Sequence, residues 1–240
     1  MTAREIPTVE HLTLRTVSTR AKLVAIAERL FAERGIDNIA LSDINKAAGQ
    51  RNKSAAQYHF GSKDGLLQAI LDKHAPGIVA RRNAILDELE ARAKPTMRDV
   101  VGALLYPIAE KIADPDGGKA FIRIHAQLVA THLMSIHNLC TSSLQLRQVD
   151  RLTRALSAAI GDLPEVIAQQ RLMLAAILLF HGLADHSRMQ DASGDTNPVV
   201  HNTLFIQNLE DCLVALLTAD VSHAAIETLS AIHTRSSAMS

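Results

Sequence analysis

Between Ser42 and Lys63 the chain gathers side chains that can grip phosphates and read hydrogen-bonding edges: Ser42, Arg51, Asn52, Lys53, Ser54, Gln57, Tyr58, His59 and Lys63. An arginine forks onto two acceptors, which matches a guanine edge, and a glutamine offers a donor beside an acceptor, which matches adenine. Tyr58, His59 and Lys63 carry donors suited to phosphate oxygens. Ser42 adds a hydroxyl where a helix start would aim backbone N–H groups at an anion. Taken alone, an Arg-Asn-Lys run is most simply a solvated patch. Its setting has to give it meaning.

Other constellations carry less. Eleven histidines invite a metal site, and His125, His132 and His137 fall in one predicted helical region, with His181-x3-Asp185-His186 in another. Two ligands on a helix need i, i+3 or i, i+4 spacing to reach one ion. The steps from His125 to His132 and from His132 to His137 do not meet it. With Arg123, Gln127, Thr131 and Asn138, these histidines read more simply as polar groups inside a helical bundle. HExxH, G-x-S-x-G, the P-loop and GxGxxG are all missing, and Glu88 and Glu90 cannot share a helix face. Cys140 and Cys212 make no disulfide framework and no CxxC pair, so both read as reduced core residues. We expect no catalytic residue, no metal and no cofactor.

The elements that must position the candidate residues follow from composition and period. The chain has 240 residues, 48% of them hydrophobic but only 3% aromatic, with eleven glycines and seven prolines. Aliphatic residues and alanine must fill the core, and helices are favoured over a many-stranded sheet. Net charge is zero, yet residues 1–75 carry 11 Lys/Arg against 8 Asp/Glu, leaving 14 against 17 for the rest. The N-terminus lacks the apolar core of a secretory signal, and the longest apolar run, Leu172 to Phe180, is short of a bilayer span. A cytoplasmic protein with no membrane partner is expected.

Little period is visible in residues 1–17, read as a flexible arm. From Ser18 or Thr19, Leu23, Ile26, Ala27, Leu30 and Phe31 line one helix face that Gly35 ends. Ser42 is read as the N-cap of a short helix, Asp43–Ala48. The connection Gly49-Gln50-Arg51-Asn52 leads to another short helix ending near Phe60, with Phe60 and Leu41 in the core. A short helix, a Gly-containing turn and a second short helix make a helix-turn-helix, whose second helix enters the major groove. Ser62 caps a long helix to about Ala93 that Pro76-Gly77 should kink. Further helices are expected at about 97–113, 119–135, 142–160, 164–190, 202–219 and 222–234. Turns fall at Asp114 to Gly118, at Gly161 to Pro164 and at Asp191 to Pro198.

The stretch from Ser18 to Leu71 resembles the DNA-binding domain of the TetR family of bacterial transcriptional regulators. The resemblance lies in Ala27, Leu30 and Phe31 before Gly35, in LSDINKAAG (41–49) and in YHFGSKDGLL (58–67). From Gly49 to Phe60 there are eleven steps where the family commonly has ten, the extra residue lying in QRNK. The resemblance implies an all-α protein with an N-terminal three-helix DNA-binding domain (18–63) and a larger helical regulatory and dimerisation domain (64–240). It implies a homodimer on a palindromic double-stranded DNA operator, most simply a repressor. Release by a small, mainly apolar effector is also implied, in a pocket between about residues 97 and 186. Candidate lining residues are Tyr106, Phe121, Arg123, His125, Leu128, His132, Arg171 and Phe180. The interface is expected on the last two long helices, at Leu174, Leu178, His181, Phe205, Leu209 and Leu213. An all-helical enzyme or carrier without DNA binding is the alternative.

Overall fold

The computed structural model describes residues 9–92, 94–132, 149–193 and 198–238. Expectations for residues 1–8, His137, Asn138, Cys140 and the starts or ends of helices within 133–148 lie outside the described residues. So do the side chains of Thr131 and His132. Among the described residues the chain is all-helical: α1 (Val9–Arg34), α2 (Leu41–Ala47), α3 (Ala55–Phe60), α4 (Lys63–Glu90), α5 (Met97–Ala109), α6 (Gly118–His132), α7 (Val149–Ile160), α8 (Glu165–Ser193), α9 (Asn202–Thr218) and α10 (His223–Ala238).

Local chemistry explains most of the ends. Gly35 closes α1, its N–H donating to Phe31 O at 3.0 Å. Ser62 Oγ accepts from Gly65 N at 3.0 Å and opens α4. Residue 65 must be glycine, because a Cβ there would sit 2.1 Å from Phe60 O. Thr96 and Asp99 form a reciprocal capping box at the start of α5. The hydrogen bonds from Thr96 hold the Asp99 carboxyl below the usual carboxylate range.

Three expectations are corrected. α1 begins at Val9, ahead of Ser18, so the helix takes in much of the segment read as an arm. α2 starts at Leu41 rather than Asp43. Its cap is Ala40, whose N–H is held by Asp43 Oδ2 at 2.9 Å, so Ser42 lies inside the first turn. And Cys212 of α9, read as a core residue, is exposed, while α4 is one helix from Lys63 to Glu90 with Pro76 inside it.

Two cores result. The first packs Leu23, Ala27 and Phe31 of α1 against Ile44 of α2, Ala56 of α3, and Leu66 and Ile70 of α4. The second joins α5 to the later helices through Val101, Leu105, Phe121, Ile122, Leu179, Leu183, Leu209 and Leu213. Helix α6 belongs to both: Ile124 is wholly buried in the first core, while Phe121, Ile122 and Ala126 lie in the second. Ion pairs pin the second unit's helices to each other. Arg98 of α5 meets Glu210 and Asp211 of α9, and Lys119 and Arg123 of α6 meet Asp191 of α8.

The cores meet at a buried polar knot. Glu28 of α1 is 2% exposed. Lys73 Nζ donates to its Oε2 at 2.9 Å and His74 Nε2 to its Oε1 at 2.5 Å. A carboxylate this buried is tolerable only because both oxygens are satisfied by charged or polar donors. The turn before α6 closes over it, with Asp116 on Lys73 and Asp114 beside His74. Gly117 has φ +85°, and a Cβ there would strike the Glu28 carboxylate, so glycine is required twice over.

Candidate nucleic-acid interface

The second short helix is shorter and starts later than its sequence suggests. Helix α3 begins at Ala55, so Arg51, Asn52, Lys53 and Ser54 precede it in the connection. The connection turns there: Asn52 Oδ1 accepts from Ser54 N at 2.9 Å and Asn52 O from Ala55 N at 3.2 Å. This Asx-type turn delivers the chain into α3. The inward face of α3 is Ala55 and Ala56, both buried, and Phe60 packs on the first core.

The outward side carries the candidate residues. Arg51, Asn52, Lys53, Ser54 and Gln57 are exposed, and so is Ser42 on α2. Tyr58 is 81% exposed, a large apolar ring left in water with no partner in the first core. His59 sits edge-on to Tyr58. The structure therefore brings these residues onto one unit. Besides Asn52, two of the candidates are already engaged: Gln57 Nε2 donates to Gly61 O, and Lys63 Nζ donates to Ile36 O at 3.0 Å and more weakly to Asp37 O. Lys63 thus ties the start of α4 to the chain just after α1, which its charge did not reveal.

Two residues that position this unit were missed. Asn45, 4% exposed on α2, donates Nδ2 to Lys53 O at 2.6 Å and accepts from Ala56 N at 2.8 Å. Gln127 of α6 accepts from Ile36 N at 2.8 Å and donates to Phe31 O at 3.0 Å, clasping the end of α1. Their partners lie 8 to 96 residues away, so no local pattern marks them.

The candidate effector residues are only partly gathered. Phe121, His125 and Phe180 stack in turn between α6 and α8, with ring centroids 4.4 and 5.0 Å apart, and His74 continues the stack on Phe121. Burial pushes the His125 imidazole down to about 4, with the nearby His74 adding to the effect. Leu128 packs against both cores. Arg123 is committed to Ser187 Oγ and Asp191. Tyr106 lies apart, over Gly102, its phenol pushed up by burial and by Glu210. Arg171 is apart as well. It donates to Leu217 O and Asp220 O beyond the end of α9, in an open groove of about 340 Å³ lined by residues such as Leu163 and Val221.

The candidate interface residues divide. Leu174 is 47% exposed and His181 half-buried, while Leu178 and Phe205 are half-buried and pack against the second core, Phe205 stacking on His186 of α8 at 3.9 Å. Leu209 and Leu213 are corrected: at 4% and 0% exposed they belong to the second core, because α9 turns that face onto α5 and α8. Helix α8 is long and apolar enough to cross a bilayer by length and composition. Within its most apolar eighteen residues only 17% are buried in the protomer.

Residues 23–70 match the family model for bacterial regulatory proteins, tetR family. The "Probable HTH-type transcriptional regulator ArpR" of Pseudomonas putida is 38% identical over 74 residues, which are 30% of this chain and 35% of that protein. The HTH-type transcriptional regulator TtgR, also of Pseudomonas putida, is 43% identical over 54 residues, 22% of this chain and 25% of that one. The chain thus spans about a third or less of the length of these relatives. Among solved structures, a gamma-butyrolactone receptor (ArpA-like protein) aligns over 85% of this chain and 83% of its own at 22% identity and a TM-score of 0.37. The helix-turn-helix segment of this chain, residues 23–70, is thus similar to bacterial regulatory proteins of the tetR family.

Proposed function

We propose that this chain is a DNA-binding transcriptional regulator, a repressor that holds a palindromic operator as a homodimer and lets go on binding a small, mainly apolar ligand. The observation that carries the reading is the division of the helix-turn-helix. Its inner face is locked into a core, while Arg51, Lys53, Ser54, Gln57 and Tyr58 stand exposed on one side. Residues 18–63 are then the reading head and 64–240 the regulatory and dimerisation part. Arg51 and Gln57 read bases, and Ser42, Lys53, Tyr58 and His59 seat phosphates, with Lys63 chiefly a brace.

The dimer reading rests on the uncovered apolar side of α8 and α9, since two-fold symmetry suits a palindrome. The effector reading rests on the Phe121–His125–Phe180 rings packed between α6 and α8, where His125 Nδ1 is buried without a hydrogen bond of normal geometry. Release requires the ligand to favour the non-binding state, typically by about 1–3 kcal/mol.

Selection of bound sequences from a random duplex pool at fixed salt tests this. An enriched palindrome with half-sites about one helical turn apart is expected. Arg51→Ala should relax preference at one position of each half-site, while Lys53→Ala should weaken all sequences alike and lower the salt slope by about one. A pool that stays random would overturn the reading in favour of a helical carrier or enzyme.

A further inference from the structure

The recognition helix has six residues, and a helix that short does not hold itself in water. Its first N–H groups have no intrahelical acceptor and need a cap. The residue in cap position, Ser54, does not supply one: its backbone sits at φ −104°, ψ 12°, and its hydroxyl makes no capping bond. Its own N–H is taken by Asn52.

The missing cap comes from another helix. Asn45 stands near the middle of α2, and its carboxamide brackets the start of α3 from below. Oδ1 accepts from Ala56 N, inside the first turn, at 2.8 Å, and Nδ2 donates to Lys53 O, two residues before the helix, at 2.6 Å. The bond to Ala56 N lies in a dry place, since Asn45 is 4% exposed and Ala56 0%, and the bond to Lys53 O is half-buried at its edge. A planar group held at two points fixes more than an end. It sets which residue begins the helix and the angle of the helix about its axis. That angle decides the read-out, because a one-residue slip turns every side chain by about 100°.

We infer that Asn45 is a positioning residue that sets the phase of α3 and thereby the base preference, without touching DNA itself. This rests on the DNA-binding reading above. Few other side chains fit the role. Aspartate keeps the acceptor but turns a negative oxygen on the Lys53 carbonyl, and alanine keeps neither bond.

The test uses the full chain with Asn45→Ala, Asn45→Asp and, as a stability control in the same core, Ala48→Gly, all assayed well below their unfolding temperatures. Without DNA, amide exchange at Ala56 should speed up about tenfold or more in Asn45→Ala, with amides of α1 unchanged. With DNA, the ratio of operator to random-duplex affinity should fall about tenfold or more in Asn45→Ala, while random-duplex affinity and its salt slope stay put. Asn45→Asp should fall between, and serves alone if the alanine variant does not fold. Ala48→Gly should keep the ratio within about twofold whatever its loss of stability.

An unchanged ratio in the Asn45 variants, or an equal loss in Ala48→Gly, overturns the inference. If the unaltered chain shows no sequence preference, the DNA reading falls and the specificity role with it. The exchange arm then still decides whether Asn45 holds α3.

Discussion

His125 is the residue whose surroundings make the firmest statement about pH. It is pressed between Phe121 and Phe180 at ring distances of 4.4 and 5.0 Å, and burial drives its imidazole from the ordinary 6.5 to about 4. In the folded chain it is therefore neutral at about pH 5, where the unfolded chain would take up a proton. The sign follows: stability is full above about pH 6.5 and is lost as pH falls from there toward 4, by about 3 kcal/mol for this one group. Burial lowers His186 in the same direction. Stability measured by urea unfolding of the unaltered chain should fall steadily from about pH 6.5 to about 4.5, and His125→Leu should flatten part of that slope. Equal slopes in the two proteins would show that His125 is solvated. Asn45 makes the complementary point, because a neutral amide in a dry site acts through direction rather than charge.

At the scale of elements, α6 carries the connection between the two units. Its Ile124 is in the core of the reading head, its Phe121 and Ile122 are in the other core, and Gln127 grips the end of α1 at both Phe31 O and Ile36 N. The sequence directs attention to Pro76-Gly77, which lies inside the single helix α4, and gives no sign of this role for α6. Gln127→Ala removes its hydrogen bonds to Ile36 N, Phe31 O and Arg123 O and should cost about 1–3 kcal/mol. The loss should appear first as faster amide exchange at Gly35 and Ile36, while α8 keeps its protection. Uniform loosening of the whole chain would mean that α6 is no special link. The ends written in neighbouring residues were legible: Gly35 after α1, Ser62 before α4, Thr96 before α5. Those set from afar were not. The start of α3 depends on Asn45 of another helix; the start of α2 is local but hidden, because its cap, Ala40, has no capping side chain and is held only by Asp43 reaching back. On α9, Leu204 to Leu217 is apolar on more than one side, so periodicity could not say that Leu209 and Leu213 face inward. Of the candidate site, the exposed residues from Arg51 to Tyr58 were legible in the sequence because the whole motif is local. The clasp holding them was not.

For the whole molecule, the open question is what covers the outer side of α8 and α9, and the two leucines that straddle it separate the answers. Leu174 is 47% exposed in the protomer, alongside Val166 on the same helix and Leu204 on α9 at 43% and 58%. A glutamate at 174 would stand in water in a lone protomer and cost little. In a dimer sealed by α8 it would be an unpaired buried carboxylate, which costs several kcal/mol. Leu213 is 0% exposed within the protomer, so Leu213→Glu should unfold the chain whatever its assembly. The expected pair of results is a folded, monomeric Leu174→Glu and a misfolded Leu213→Glu, read by light scattering and thermal unfolding. The first variant also bears on function. Two reading heads joined in one particle gain by effective concentration, and separating them should weaken operator binding by about a hundredfold or more, with each half-site still recognised. A Leu174→Glu protein that scatters as a dimer would move the interface off α8. One that is monomeric yet binds the palindrome at full strength would remove dimerisation from the mechanism.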